Sequence, residues 1–308
     1  MAQDPSLNNL VDPPGNKAAD IGSLGNVIKS GKGTQPMILI PGIGFSGNIY
    51  KEFMASIEND FRMYAVTLPG FGGTPAPPGP GEETSFGEQT WTNNAVVAIE
   101  KLMERENIRN PVVVGHWQIG TQIALRLALK HPKKIKAVVL LSGVAKMDVT
   151  GTRFEQYYAT PEARVAPIDT FLAPKWFKTV TRETWDDNNF LPEDYTVHPR
   201  LGLRYWREAA LPKLHVWVRY LCEFNAQDIT VDLSKLKVPT LLLKPGLEGI
   251  YAQGPQNYIE MFCHDSWGNL DSYSSIKVKT IPHTRSLMWL DRPEEVKQAV
   301  IEFLRSAK

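Results

Sequence analysis

Three things are scarce in this chain, and each scarcity narrows what it can be. Only two of its 308 residues are cysteine, Cys222 and Cys263. Two thiols could pair in the fold, but in a chain of this length both read as ordinary buried residues. An excess of one charge is missing as well: 34 Lys and Arg stand against 33 Asp and Glu, a formal net charge of +1, with no basic block. That balance points to neither a nucleic acid nor an anionic membrane as partner. Long apolar runs are absent too. No stretch approaches the roughly 20 residues of a membrane span, and the start, MAQDPSLNNLVDPPGNKAAD, lacks the apolar core of a signal peptide. The expectation is a soluble protein of unknown compartment that takes a small apolar or aromatic molecule. No protein partner, cofactor or metal is expected.

What is plentiful is apolar side chain, 43% of the residues, enough for a large core. Short apolar runs recur, each stopped by Gly or Pro: MILIPG, RMYAVTLPG, PVVVG, IKAVVLLSG, VPTLLLKPG and IKVKTIP. Helical patterns separate several of them, among them NIYKEFMASIEN, EQTWTNNAVVAIEKLMERE, TQIALRLALKHP and PEEVKQAVIEFLRSA. Such alternation predicts an α/β fold, a mainly parallel sheet with helices on both faces and its site at the C-terminal ends of the strands. Residues 147–228 interrupt the alternation with an aromatic-rich stretch, including Tyr157, Tyr158, Phe171, Trp176, Tyr205, Trp206, Trp217 and Tyr220. This segment reads as a helical lid inserted in a core formed by 1–146 and 229–308, with 1–25 as an N-terminal arm. Its rings either roof an apolar pocket or simply pack the lid down.

The stretch VVVGHWQIGT runs from a β-branched strand through a glycine into a helical pattern. In a common class of enzymes this turn reads Gly-x-Ser-x-Gly and raises a nucleophilic serine above the sheet. Trp117 holds the serine's place here, and Ile119 the second glycine's. Together with ILIPGIGFSG, VTLPGFGGTPAP, VPTLLLKPGLEGI and IPHTRSLMWLDRPEEV, in that order along the chain, the stretch resembles the α/β-hydrolase fold family, from about Gly25 to Lys308. The resemblance implies an oxyanion-hole N–H near Ile43 and places Thr74 where the family has a serine-like residue. It also implies the triad's places. The acid's falls on Gly249, with Glu248 beside it, and the histidine's falls on Ser286, five residues before Asp291. All three places are thus vacated at Trp117, Gly249 and Ser286.

No rebuilt triad is evident. His116 reads as a buried, hydrogen-bonded ring turned away from Trp117, His283 as a structural residue at a strand end, and Ser142 as a pocket residue without a base. Trp117 is either a flat platform for an aromatic ligand or a plug, in a turn whose strain costs of order 1–3 kcal/mol. Lys244 ends a strand otherwise suited to burial. It either snorkels to water or is a desolvated amine able to form a Schiff base, with Lys146 as second candidate. The leading expectation is a hydrolase scaffold rebuilt by engineering into a lyase, a retro-aldolase. In it Lys244 is catalytic and Trp117, Ile43, Gln118, Ser142, Ser286 and Leu287 line the substrate. A non-catalytic receptor or pseudoenzyme is the alternative, and proton abstraction by Glu248 or His283 a third.

Overall fold

The computed structural model describes residues 23–77, 85–151, 154–179, 191–247, 266–268 and 270–307. Each apolar run of the sequence becomes one strand of a seven-stranded sheet in the order β1-β3-β2-β4-β5-β6-β7. The strands are β1 (Asn26–Ser30), β2 (Gln35–Ile40), β3 (Phe61–Thr67), β4 (Val112–His116), β5 (Ala137–Leu141), β6 (Thr240–Pro245) and β7 (Ile276–Ile281). All neighbours pair in parallel except β1, which runs antiparallel to β3. β4 and β5 are buried along their whole length, as strands covered by helices on both faces must be. β1 is not among the runs legible in the sequence. NVIKS holds only two apolar residues, side by side, at a half-exposed edge, and part of its stretch borders the expected arm.

The helices that matter for the site are α1 (Lys51–Ser56), α2 (Thr90–Arg105), α3 (Trp117–Lys130) and, after β7, α9 (Met288–Asp291) and α10 (Pro293–Ser306). Between β5 and β6 run α4 (Pro161–Pro167), α5 (Ala173–Thr179), α6 (Pro192–Tyr195), α7 (Pro199–Ala210) and α8 (Leu214–Asn225). Lys146 and Asp228 form an isolated antiparallel bridge, so the two ends of this helical segment meet beside β5. Strand order reverses between β2 and β4, whose neighbouring C-terminal ends therefore open a crevice at a switch point of the sheet.

The helical segment is fastened by buried carboxylates. Glu223 on α8 is fully buried and accepts from the N–H groups of Trp91 (3.0 Å) and Thr92 (2.8 Å), from Thr92 Oγ1 (2.7 Å) and from Arg219 Nε (3.0 Å). The first turn of α2 holds no acidic residue, so Glu223 satisfies its orphan donors and meets its positive end from another element. Asp291 on α9 ties the stretch before α7 to the core, accepting from Thr196 Oγ1, Val197 N (3.0 Å) and Arg285 N (2.8 Å). Removing one partner of a buried pair strands the other charge. Glu223→Gln is therefore expected to lower unfolding free energy by about 3–5 kcal/mol in a guanidinium titration, and a loss below about 1 kcal/mol would show that the pair is not a fastening point.

Candidate active site

At the end of β4 the chain turns sharply into α3, and the residue at the turn, Trp117, has φ 59°. This left-handed conformation is unfavourable for a bulky side chain and persists only where the surroundings impose it. Two contacts impose it here. The loop after β2 lies so close that a Cβ on Gly42 would sit 2.6 Å from the Cβ of Trp117. One on Gly120 would sit 2.7 Å from the carbonyl oxygen of Ile40. Ile119 does occupy the second glycine's expected place, and Gly120, one residue on, provides the close helix-to-strand approach.

His116 precedes the turn and is fully buried. Gly42 N donates to its Nδ1 at 3.3 Å, which leaves the ring proton on Nε2. Burial lowers its pKa to about 3, with the backbone of Ser286 as a smaller opposing influence. The imidazole is thus a neutral acceptor for the loop after β2, not a base. Strand alternation does not carry it clear of Trp117: the two rings lie 6.0 Å apart, and Trp289 meets His116 edge-on at 5.1 Å.

The other anticipated residues fall as follows. Ile43 is buried in the loop between Gly42 and Gly44. Gln118 lies in the first turn of α3, where backbone N–H groups have no helical partner. Its side chain is 1% exposed, and neither amide atom has a hydrogen-bond partner among the described residues. Ser142, at φ 50°, donates from Oγ to the carbonyl of Ser286 at 2.8 Å. Ser286 and Leu287 are buried beyond β7, and Ser286 Oγ also has no hydrogen-bond partner among the described residues. Loop, turn, Ser142, Ser286 and Leu287 all sit at the same end of the sheet. His283 is exposed, with φ 52°. Thr74 Oγ1 closes a turn by donating to the carbonyl of Phe71 at 2.7 Å. Lys244 is half-buried within β6, opposite Thr280. Lys146 is held by Asp228 at 3.5 Å in the lid's hinge. Cys222 is a buried free thiol whose pKa burial raises. Glu248, Gly249 and Cys263 lie outside the described residues.

The lid closes directly on this site. Ala209 of α7 and Trp217 Nε1 of α8 both lie 3.2 Å from where a Cβ on Gly44 would be. Glu208 accepts from Ser46 N at 3.1 Å and Oγ at 2.6 Å. The carbonyls of Asp194 and Tyr195 accept from the N–H groups of Ser286 (3.3 Å) and Leu287 (2.8 Å), and the Tyr195 ring meets Phe45 edge-on at 5.3 Å. The sequence reading missed Tyr195, Glu208 and Asp194, whose partners lie far away in the chain. Of the aromatics it did single out, Tyr158, Tyr205, Trp217 and Tyr220 are buried, whereas Tyr157 and Phe171 face solvent.

A family profile described as alpha/beta hydrolase fold matches residues 35–192, and the chain belongs to that family. Among curated proteins it is similar to the pimeloyl-[acyl-carrier protein] methyl ester esterase of Pectobacterium carotovorum, 21% identical over 90% of this chain and 96% of that one. The enzyme of the same name from Aeromonas hydrophila is 28% identical over 70% of this chain and 77% of its own. Solved structures share the fold. An esterase from Thermogutta terrifontis has a TM-score of 0.59 at 19% identity, covering 92% of this chain and 93% of its own. The enol-lactonase of Burkholderia xenovorans has 0.60 at 16% identity, covering 91% and 96%.

These likenesses correct the reading of the site as a rebuilt lyase. Relatives spanning nine-tenths of the chain are natural esterases, which overturns the retro-aldolase, engineered-scaffold and Schiff-base Lys244 expectations, along with the receptor, pseudoenzyme and proton-abstraction alternatives. Among the described residues no group of His, Cys, Asp and Glu is arranged to hold a metal, and no helix is long and apolar enough to cross a membrane.

Because His116 is neutral when folded and titrates near 6.5 when unfolded, its linkage has a definite sign. Above pH 6.5 neither state binds the extra proton. Below it only the unfolded chain does, so stability falls toward pH 3 by at most about 1.4 kcal/mol per pH unit from this residue. Stability curves between pH 7 and 4.5 are expected to be flatter for His116→Gln than for the native chain. Parallel curves would show that the ring is not held neutral.

Proposed function

We propose that the protein is a hydrolase of carboxylic esters or related acyl compounds with an apolar acyl or aryl part, and that water, not a side chain at position 117, attacks the carbonyl. In this reading the three triad places at Trp117, Gly249 and Ser286 are vacated, and the remaining frame holds and polarises the carbonyl. The observation that carries it is the pair of unsatisfied side chains beside the intact turn. A buried polar group left without a partner costs about 1–3 kcal/mol, and both Gln118 and Ser286 accept that cost at the end of the sheet where the crevice opens. A bound acyl group and a water satisfy them.

The chemistry follows from the placement. The N–H groups of Ile43 and Gln118 receive the oxygen as it gains charge. Gln118 and Ser286 hold the water against the carbonyl carbon. Its oxygen bonds to that carbon, the bond to the leaving alkoxide breaks, and the proton lost by the water passes to the alkoxide, giving acid and alcohol. The esterase names of the relatives support an acyl substrate, and the buried Trp117 supports an apolar one. Without an activated nucleophile, the acceleration is what binding and the oxyanion donors supply, on the order of 10³–10⁴ over water.

Aryl esters and lactones are expected to be hydrolysed at that level with linear progress curves and no acyl adduct in the intact mass. Trp117→Ser should gain no burst, since no base accompanies the hydroxyl. Gln118→Leu should lower kcat roughly 10- to 100-fold, the worth of one to two hydrogen bonds. A stoichiometric burst with an acylated residue, or rates equal to buffer across the panel, would overturn the proposal.

A further inference from the structure

On the face of α3 that borders α2 and the segment after the lid, one charge has no ion-pair partner among the described residues. Arg126 is half-buried, with one Nη donating to Asn93 Oδ1 and with Nε, itself buried, lacking a hydrogen-bond partner among the described residues. The carboxylates around it are committed elsewhere: Asp232 to Lys235 at 2.7 Å, Glu223 to Arg219 at 3.0 Å, and Glu100 to Lys130 at 2.8 Å. Among the described residues Arg126 forms no ion pair. Desolvation accordingly lowers its pKa to about 10, the through-space pull of Glu223 and Asp232 offsetting only part of the effect. A guanidinium Nε in this situation is unusual, because buried polar atoms are ordinarily hydrogen-bonded.

Arg126 borders a cleft of about 590 Å³ between α2, α3 and the segment that follows the lid. The volume is that of a small-molecule site. Lys235 and Lys130 also line the cleft, each already paired, to Asp232 and Glu100, so Arg126 is the cleft's unpaired cation among the described residues; Asp232 is the one carboxylate lining it, and Val97, Leu129 and Ile229 form an apolar wall.

We propose that this cleft binds a small organic anion, its carboxylate or phosphate head on Arg126 and its apolar body against Val97, Leu129 and Ile229. The site is separate from the crevice at the end of the sheet and does not depend on what reaction occurs there. It lies beside Asp228, where the lid rejoins the core, so an occupant braces α3 against the lid's exit. Arg126 suits the head group because its planar fork pairs two donors with two anionic oxygens.

The arginine Nε–H resonances of the full chain, recorded by 1H–15N NMR, test this directly. The signal missing from Arg126→Met identifies Arg126, and the methionine keeps most of the apolar stem's packing. Titration with octanoate is expected to shift that signal saturably, and inorganic phosphate to shift it more weakly. Arg126→Lys, which keeps the charge but not the fork, should weaken octanoate binding at least fivefold in calorimetry. A shift with phosphate alone would overturn the role of the apolar wall. No saturable shift with either probe, or unchanged octanoate binding in both variants, would overturn the site.

Discussion

The structure around the site depends on one close approach, the backbone of the loop after β2 against the turn after β4. Gly42 allows it, since any larger residue would collide with Trp117, and His116 fixes it by accepting the Gly42 N–H. The approach forces Trp117 into a left-handed backbone and brings the loop's amides alongside the first turn of α3. It also requires a neutral imidazole, because a protonated Nδ1 would have nothing to offer Gly42. Burial on three sides, by Phe45, Trp117 and Trp289, keeps the ring in that state. The backbone arrangement of loop and turn is therefore set independently of the side chain at its apex.

The helical segment shares one continuous apolar core with the sheet, through Tyr195, Tyr205, Trp217, Tyr220 and Phe224 among others, and polar contacts at its borders pin it in place. Glu208 grips the loop after β2, Glu223 caps α2, and Asp291 gathers Thr196, Val197 and Arg285. Asp291 is held above the ordinary carboxylate range because burial outweighs these hydrogen bonds, so it is a fastening point under tension between desolvation and pairing. The backbone of Asp194 and Tyr195 runs against Ser286 and Leu287 and occupies the edge of the place where the family's histidine is expected. A lid seated on the site in this way excludes bulk water and strengthens the few hydrogen bonds beneath it.

Much of the fold was legible because it is written locally. Six strands announce themselves as β-branched runs ended by Gly or Pro, and the turn at Trp117 by a strand, a glycine and a helical pattern in ten residues. β1 was not legible, since Asn, Lys and Ser at a half-exposed edge carry no burial signal. The polar fastenings were hidden for a different reason: Glu223 meets Trp91 and Thr92 from more than 130 residues away, and no local pattern encodes such a pairing. The site was half legible. Ile43, Gln118, Ser142, Ser286 and Leu287, singled out through their places in ordered motifs, do come together at one end of the sheet, which is all the structure says of them. The chemistry assigned to Lys244 was not sound, because an unusual residue near a strand end says little about reaction class until the whole chain's relatives are weighed.

The proposed function joins these features into a site that would hold a carbonyl by its backbone and supply no attacking side chain at its apex. That claim concerns the carbonyl's electron distribution, and isotope-edited infrared spectroscopy of an aryl ester labelled with 13C at the carbonyl reads it directly in the complex. The account predicts that the bound carbonyl stretch falls below its frequency in water, and that it rises again in Ile43→Pro, which lacks the donor N–H. A bound stretch at or above the aqueous value in the native protein would contradict it.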